Sequence, residues 1–450
     1  MNISAEGQPP GYGRIFSLAW PIMLANCSVP ILGLVDTAVI GHTGDARALA
    51  AIALGALIFN FIYWGCGFLR MGTTGLTAQA VGEGDEPEVR ATLMRGLLIA
   101  TGLGLFAILA QSGIIRFSLG VLSADVGAES LAAQYLGIRI WGAPASLAMY
   151  AVMGAFIGLG RSDLLLKVQL FLNSLNILLD LLFAGVFAWG VSGIALGTAI
   201  AEWCALILAL SLAVRLFRQR HTDQASFLEW PRILRQQALR RSFTVNRDIF
   251  LRTLFLLFGF AWFTNEAAQY GNVMLAANHV LIQFITFSAY LLDGYANATE
   301  PLVGNAVGAR NKAMFDTVVR RSVSLAGFTA ITLSAVILLG GSFGIQALTD
   351  IPEVRLAAEA FLPYCVAYVL CAFAAFQLDG IFIGATQTQA MRNASFISLL
   401  AFLLAWFLLT RIWGNHGLWM AMIIFVVARA VALMCFYPGL RARLVPVPER

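Results

Sequence analysis

The chain is a succession of long apolar runs separated by short polar breaks. Twelve runs can be marked, at roughly 15–39, 46–70, 91–113, 131–155, 164–188, 190–215, 249–270, 273–298, 318–341, 356–379, 393–413 and 416–438. Each is close to the ~20 residues an α-helix needs to cross the hydrocarbon core of a bilayer. They are too long and too continuous for β-barrel strands, which alternate in polarity over about ten residues. A helix also satisfies its own backbone in lipid. The pattern therefore predicts an all-α membrane protein with twelve transmembrane helices. Residues 1–14 are polar and carry one basic residue, Arg14. The first run contains Pro21, Pro30 and Asp36 and is expected to span the membrane, not to act as a cleaved leader.

The two halves match at an offset of 226 residues. Gly154-Ala155-Phe156-Ile157-Gly158 meets Gly380-Ile381-Phe382-Ile383-Gly384, Ala80-Val81-Gly82 meets Ala306-Val307-Gly308, and Leu49-Ala50-Ala51 meets Leu275-Ala276-Ala277. Further on the offset slips to 224, where Trp189-Gly190 meets Trp413-Gly414. Six spans per copy is an even number, so both copies enter and leave on the same side and the repeat is parallel. The expected organisation is a first lobe at 1–215 with spans one to six, a basic cytoplasmic linker at 216–248, and a second lobe at 249–450 with spans seven to twelve. Two six-helix lobes of this kind are the architecture of a secondary transporter.

Composition agrees with the pattern. The chain is 59% hydrophobic and 12% charged, where an average soluble protein is about 25% charged. That excludes a soluble enzyme, a disordered hub and a nucleic-acid binder. The six cysteines lie in apolar runs without a CxxC pair, and the four histidines are scattered, so no metal site and no cofactor is expected. There is no GxxxxGK[ST] loop, so ATP is not the energy source and an ion gradient is the default. Nor is there a paired nucleophile and base at membrane depth, as an embedded enzyme would need. With the amino terminus placed in the cytoplasm, 23 basic residues fall on the cytoplasmic side and five, Arg47, Arg116, Arg139, Arg355 and Arg411, on the other. The positive-inside rule thus puts both termini in the cytoplasm. Nine of the arginines lie between Arg215 and Arg252 and are read as a topology determinant on a solvated linker.

Acids inside a bilayer cost about 2.5–3.5 kcal/mol each on insertion scales, so each needs a reason. Asp36, Asp180, Glu202, Glu266, Asp293 and Asp379 fall within the apolar runs. Asn173 and Asn176 precede Asp180 by seven and four residues, on one helical face, with Thr198 at similar depth in the next span. Neighbouring buried carboxyls can exchange protons near neutral pH. Asp293 and Asp379 each begin an Asp-Gly step in the second lobe and are candidates for a matching site. Basic residues are nearly absent from the span centres, which suggests a cavity of negative potential suited to cationic aromatic solutes. Tyr63, Trp64, Phe284, Phe287, Tyr290 and Phe376 could supply ring faces for them.

Pro21 followed by Leu34-Val35-Asp36-Thr37-Ala38-Val39-Ile40-Gly41 resembles the first helix of the multidrug and toxic compound extrusion (MATE) transporters. Ala306-Val307-Gly308-Ala309-Arg310 and Leu378-Asp379-Gly380-Ile381-Phe382-Ile383-Gly384-Ala385-Thr386 resemble its DinF branch. The resemblance runs over roughly 14–440. It implies two pseudo-symmetric lobes, alternating access, and efflux of small organic cations against inward proton flow, with sodium as the alternative coupling ion. It assigns a cation site to Asp36, Asn176, Asp180 and Thr198, and a helix-bending role to Pro21. Glu266 lies on the helix where relatives often carry a second acid. The expected setting is the bacterial inner membrane, with lipid around a monomer and no nucleic-acid partner. Two other readings stay open: an organic-anion exporter of the same family, and a lipid-linked sugar flippase of the wider superfamily, which would need basic residues in its cavity.

Overall fold

The computed structural model describes residues 9–43, 46–121, 126–220 and 227–444. Among these there is no strand. The helices in chain order are α1 Tyr12–Thr43, α2 Ala46–Gly65, α3 Phe68–Glu83, α4 Glu86–Leu109, α5 Gln111–Val121, α6 Val126–Arg139, α7 Ala143–Gly158 and α8 Ser162–Asp180. They continue as α9 Gly190–Arg220, α10 Trp230–Ile233, α11 Gln236–Gln269, α12 Asn272–Gly308, α13 Lys312–Leu348, α14 Pro352–Gly384, α15 Thr388–Trp413 and α16 Asn415–Ala442. Eleven stretches among the described residues are long and apolar enough to cross a membrane. The run expected at 249–270 is not among them. It is the later part of α11, where Arg252 near one end and Asn265 and Glu266 near the other dilute the apolar stretch. It still takes its place as the seventh of twelve spans.

The long helices run further than the apolar runs. α1 passes as one helix through Pro21 and Pro30. α11 begins at Gln236, so part of the expected linker is helix, and residues 221–226 of that linker lie outside the described residues. The described residues of Leu24–Val81 and Asp85–Phe243 form one compact unit, here the amino-terminal unit. Those of Met1–Met23, Gly82–Gly84 and Thr244–Arg450 form a second, the carboxy-terminal unit.

The repeat read in the sequence is a repeat of packing. A Cβ on Gly154 or Gly158 of α7 would strike the backbone of Arg70 and Thr74 on α3. A Cβ on Gly380 or Gly384 of α14 would strike the backbone of Ala296 and Glu300 on α12. All four contacts map onto one another at the 226-residue offset. In each copy a glycine every fourth residue lets two helices approach to backbone contact. The turns repeat as well. Left-handed backbone occurs at Gly84 (φ 73°) and at Arg310 (φ 52°), its counterpart. The next residue then caps the following helix: Asp85 accepts from Glu88 N at 3.1 Å, and Asn311 accepts from Met314 N at 2.9 Å. Where the offset slips from 226 to 224, the two copies differ in helix type. The first ends α8 with a π-helical segment, Leu181–Val186, and the second runs as unbroken α-helix to Trp413.

Candidate functional site

α8 has the apolar and polar faces of a soluble helix reversed. Asn173, Asn176 and Asp180 are buried, and Leu170, Phe171 and Leu178 are turned outward. The spacing of three and four places the polar three on one face, and α9 supplies Thr198 opposite them. Asn176 Nδ2 donates to Thr198 Oγ1 at 3.1 Å, and Thr198 Oγ1 donates to the Ile194 carbonyl at 2.9 Å. Asn173 Nδ2 donates to Ser28 Oγ at 2.8 Å and tethers α8 to α1 two turns before Asp36.

The carboxyls of Asp36 and Asp180 are close neighbours. No described N–H or O–H donates to either oxygen of Asp180 or to Asn176 Oδ1. Ionised carboxylates only accept, so this contact is attractive when a proton lies between them. Two details of the chain make room for it. Gly197 on α9 faces the pair, and a Cβ there would stand 2.7 Å from Asp180 Oδ1. Directly after Asp180 the backbone opens into the π-helical segment, a device that recurs at functional sites.

A cation stands beside this pair. Arg139, counted in the sequence among the five basic residues of the non-cytoplasmic side, is nearly buried at the junction of α6 and the 3₁₀ turn Ile140–Gly142. Its guanidinium donates to Tyr135 Oη at 2.8 Å, lies 3.9 Å from Glu202 and sits 4.7 Å over the Phe59 ring. Tyr63 is part of the same aromatic wall, 5.4 Å from Phe59 between ring centres. Trp64, its neighbour, points outward. The amino-terminal unit therefore gathers three acids, Asp36, Asp180 and Glu202, around one arginine.

The carboxy-terminal unit holds a different cluster. Asp379 is not the bare acid expected: Arg252 of α11 donates to its Oδ2, and Arg429 of α16 lies 3.9 Å away. The expectation of acids without cations fails because the partners are 127 and 50 residues distant in sequence, beyond the reach of local pattern. Phe376 lies under Arg429, 5.8 Å from ring centre to guanidinium. Phe284 packs over Gly344, and Phe287 is turned to the outer surface of its helix. Tyr290 and Asp293 lie further along the same helix, half-buried. Glu266 is buried and accepts from Gln269 Nε2 at 3.2 Å.

At the repeat offset the acid pair has no acidic counterpart. Asp36 corresponds to Trp262 and Asp180 to Trp406, and these two indoles meet edge to face at 5.0 Å. Asn176 and Thr198 correspond to Phe402 and Met422, both fully buried. The helix contact is kept and its chemistry replaced. Of the residues that sequence reasoning missed, Arg139 carried one signal, as a basic residue against the positive-inside bias.

A repeated bundle of spanning helices with charges buried between them defines a membrane carrier. A family model described as MatE matches residues 21–182 and 249–407. The chain is 36% identical over 426 residues to the DNA damage-inducible protein F of Escherichia coli strain K12, covering 94% of this chain and 91% of that one. It is 23% identical over 401 residues to a probable multidrug resistance protein NorM of Bacillus subtilis strain 168, covering 86% and 85%. An outward-facing structure of a multidrug resistance MATE family transporter superimposes with a TM-score of 0.84 at 18% identity, over 98% of this chain and 97% of that one. The chain belongs to the MatE family of multidrug efflux transporters; it is a transporter and not an enzyme.

Proposed function

We propose that the protein is a proton-coupled antiporter that exports small organic cations by alternating access. The observation that carries this reading is the Asp36–Asp180 carboxyl pair of the amino-terminal unit, with Asp180 buried, Asp36 half-buried and no donor to Asp180 among the described residues. Such a pair takes up a proton from one side and gives it to the other as its surroundings change. When it is ionised, three acids outnumber Arg139 and the site attracts a cation; when protonated, it releases one. Asn176 and Thr198 hold the geometry, and Pro21, which removes one backbone hydrogen bond from α1, is the point where that helix can bend. The relative in Bacillus subtilis is named for multidrug resistance, in line with a cargo of drug-like cations.

The oxygens of Asp36, Asp180 and Asn176 would also suit a sodium ion, a hard cation that takes oxygen ligands, so sodium is the alternative coupling ion. The deciding experiment is ethidium efflux from proteoliposomes under an imposed proton or sodium gradient. An inward proton gradient alone should drive efflux, and Asp36→Asn and Asp180→Asn should each lower the rate at least about tenfold. Full proton-driven efflux by Asp36→Asn would overturn the coupling assignment, and efflux driven by sodium alone would replace proton with sodium. The distribution of basic residues supports a bacterial cytoplasmic membrane setting with both termini inside. We take the two lobes and their basic linker as the working domain division, and a monomer in lipid as the working unit.

A further inference from the structure

Among the described residues, the carboxy-terminal unit contains an arginine without a hydrogen-bonded partner. Arg429 is 6% exposed, its nearest carboxylate oxygen is 3.9 Å away, and its Nε has no acceptor. Arg252, 8% exposed, uses one nitrogen on Asp379 Oδ2 and also leaves its Nε without an acceptor. Two guanidiniums thus share one carboxylate, and the cluster carries a net positive charge. A guanidinium stays protonated in proteins. Removing one from water without an opposing charge is costly, so a site of this kind calls for an anion. The flat fork of Arg429 suits the two oxygens of a carboxylate, sulfonate or phosphate better than a spherical ion. Phe376 lies against it at 5.8 Å, and Tyr368, on the same face of α14, is close enough to feel its charge.

We propose that Arg429 and Arg252 form a binding site for the oxyanion head of an aromatic or amphiphilic solute. Asp379 is the resident counter-ion, and its ion pair with Arg252 leaves Arg429 open to the ligand. The site is separate from the Asp36–Asp180 pair, so it stands or falls independently of proton coupling. It gives the transporter a place for the acidic end of a zwitterionic or anionic solute, or for a lipid phosphate.

The test is equilibrium binding of radiolabelled 2-naphthoate to the full chain in phosphatidylcholine nanodiscs. Saturable binding is expected, displaced by naphthalene-2-sulfonate and not by the size-matched 2-naphthylmethylammonium. Arg429→Met should weaken it roughly tenfold or more, the range for a hydrogen-bonded charge. Arg429→Lys, which keeps the charge and loses the fork, should fall between, and it serves where the methionine variant does not fold. Asp379→Asn, which removes the competing carboxylate, should tighten binding. If phosphatidylglycerol in the nanodisc abolishes naphthoate binding in wild type, the oxyanion site stands and its natural occupant is a lipid phosphate. The proposal is overturned if wild type shows no saturable naphthoate binding in neutral lipid, or if either Arg429 variant binds naphthoate as wild type does.

Discussion

Gly197 limits how closely α9 can approach the acid pair. An added methyl would press on Asp180 Oδ1 from 2.7 Å, and neither group can retreat from a packed helix contact without cost. Gly197→Ala should leave the protein folded and lower proton-driven efflux about tenfold, by displacing one carboxyl from the other; unchanged efflux with an unchanged thermal melt would show that the spacing is not critical. Residues of this site differed in how plainly the sequence announced them. Asp36, Asn176, Asp180 and Thr198 are polar groups in apolar runs, where any polar residue stands out. Arg139 was counted only as a charge on one side of the membrane, and its partners Tyr135, Glu202 and Phe59 come together only in the fold. Arg429 was visible inside the last run, but its partner Asp379 lies on another helix, and only the fold joins them.

The starts of α4 and α13 repeat closely. The turn before α4 uses a glycine in left-handed backbone, and the matching turn before α13 uses Arg310 in the same conformation. A side chain there costs about 1 kcal/mol, partly offset because glycine loosens the unfolded chain. Arg310→Gly should therefore stabilise the protein by roughly 0.5 kcal/mol, read as a higher thermal midpoint in detergent; a lower midpoint would mean that the exposed Arg310 side chain contributes more than its backbone costs. Periodicity gave the number of spans and, through the offset, their pairing. It could not give the π-helical segment after Asp180, because an extra residue in a helix leaves the apolar run intact and alters only its winding.

On the scale of the molecule, the connection between the two copies is anchored to the amino-terminal unit. Arg232, in α10, pairs with Asp85, with Glu88 at 3.2 Å and with Glu229 at 3.8 Å, while Arg220 pairs with Glu86. The basic cluster that the sequence assigned to topology thus meets an acidic cluster at the start of α4. These pairs are about one-third exposed, so each contributes only some tenths of a kcal/mol and weakens with salt. Asp85→Lys should speed trypsin cleavage after Arg235 several-fold, and Asp85→Asn, which keeps a capping side chain and removes the charge, should speed it less; wild-type cleavage in both variants would show that the anchor does not hold in solution. The two copies share helices, turns and glycine contacts but not the charges of the two clusters: Arg139 answers to Cys365, Asp379 to Met153, Arg252 to Asn26. The tryptophans at 262 and 406 carry this asymmetry furthest. An indole pair cannot ferry protons, so on the proposed mechanism the stoichiometry is capped by the one carboxyl pair, at two protons per turnover. With a pH difference of one unit across the membrane, chemical exchange could then sustain at most about a hundredfold gradient of solute, since each proton contributes about 1.4 kcal/mol per decade.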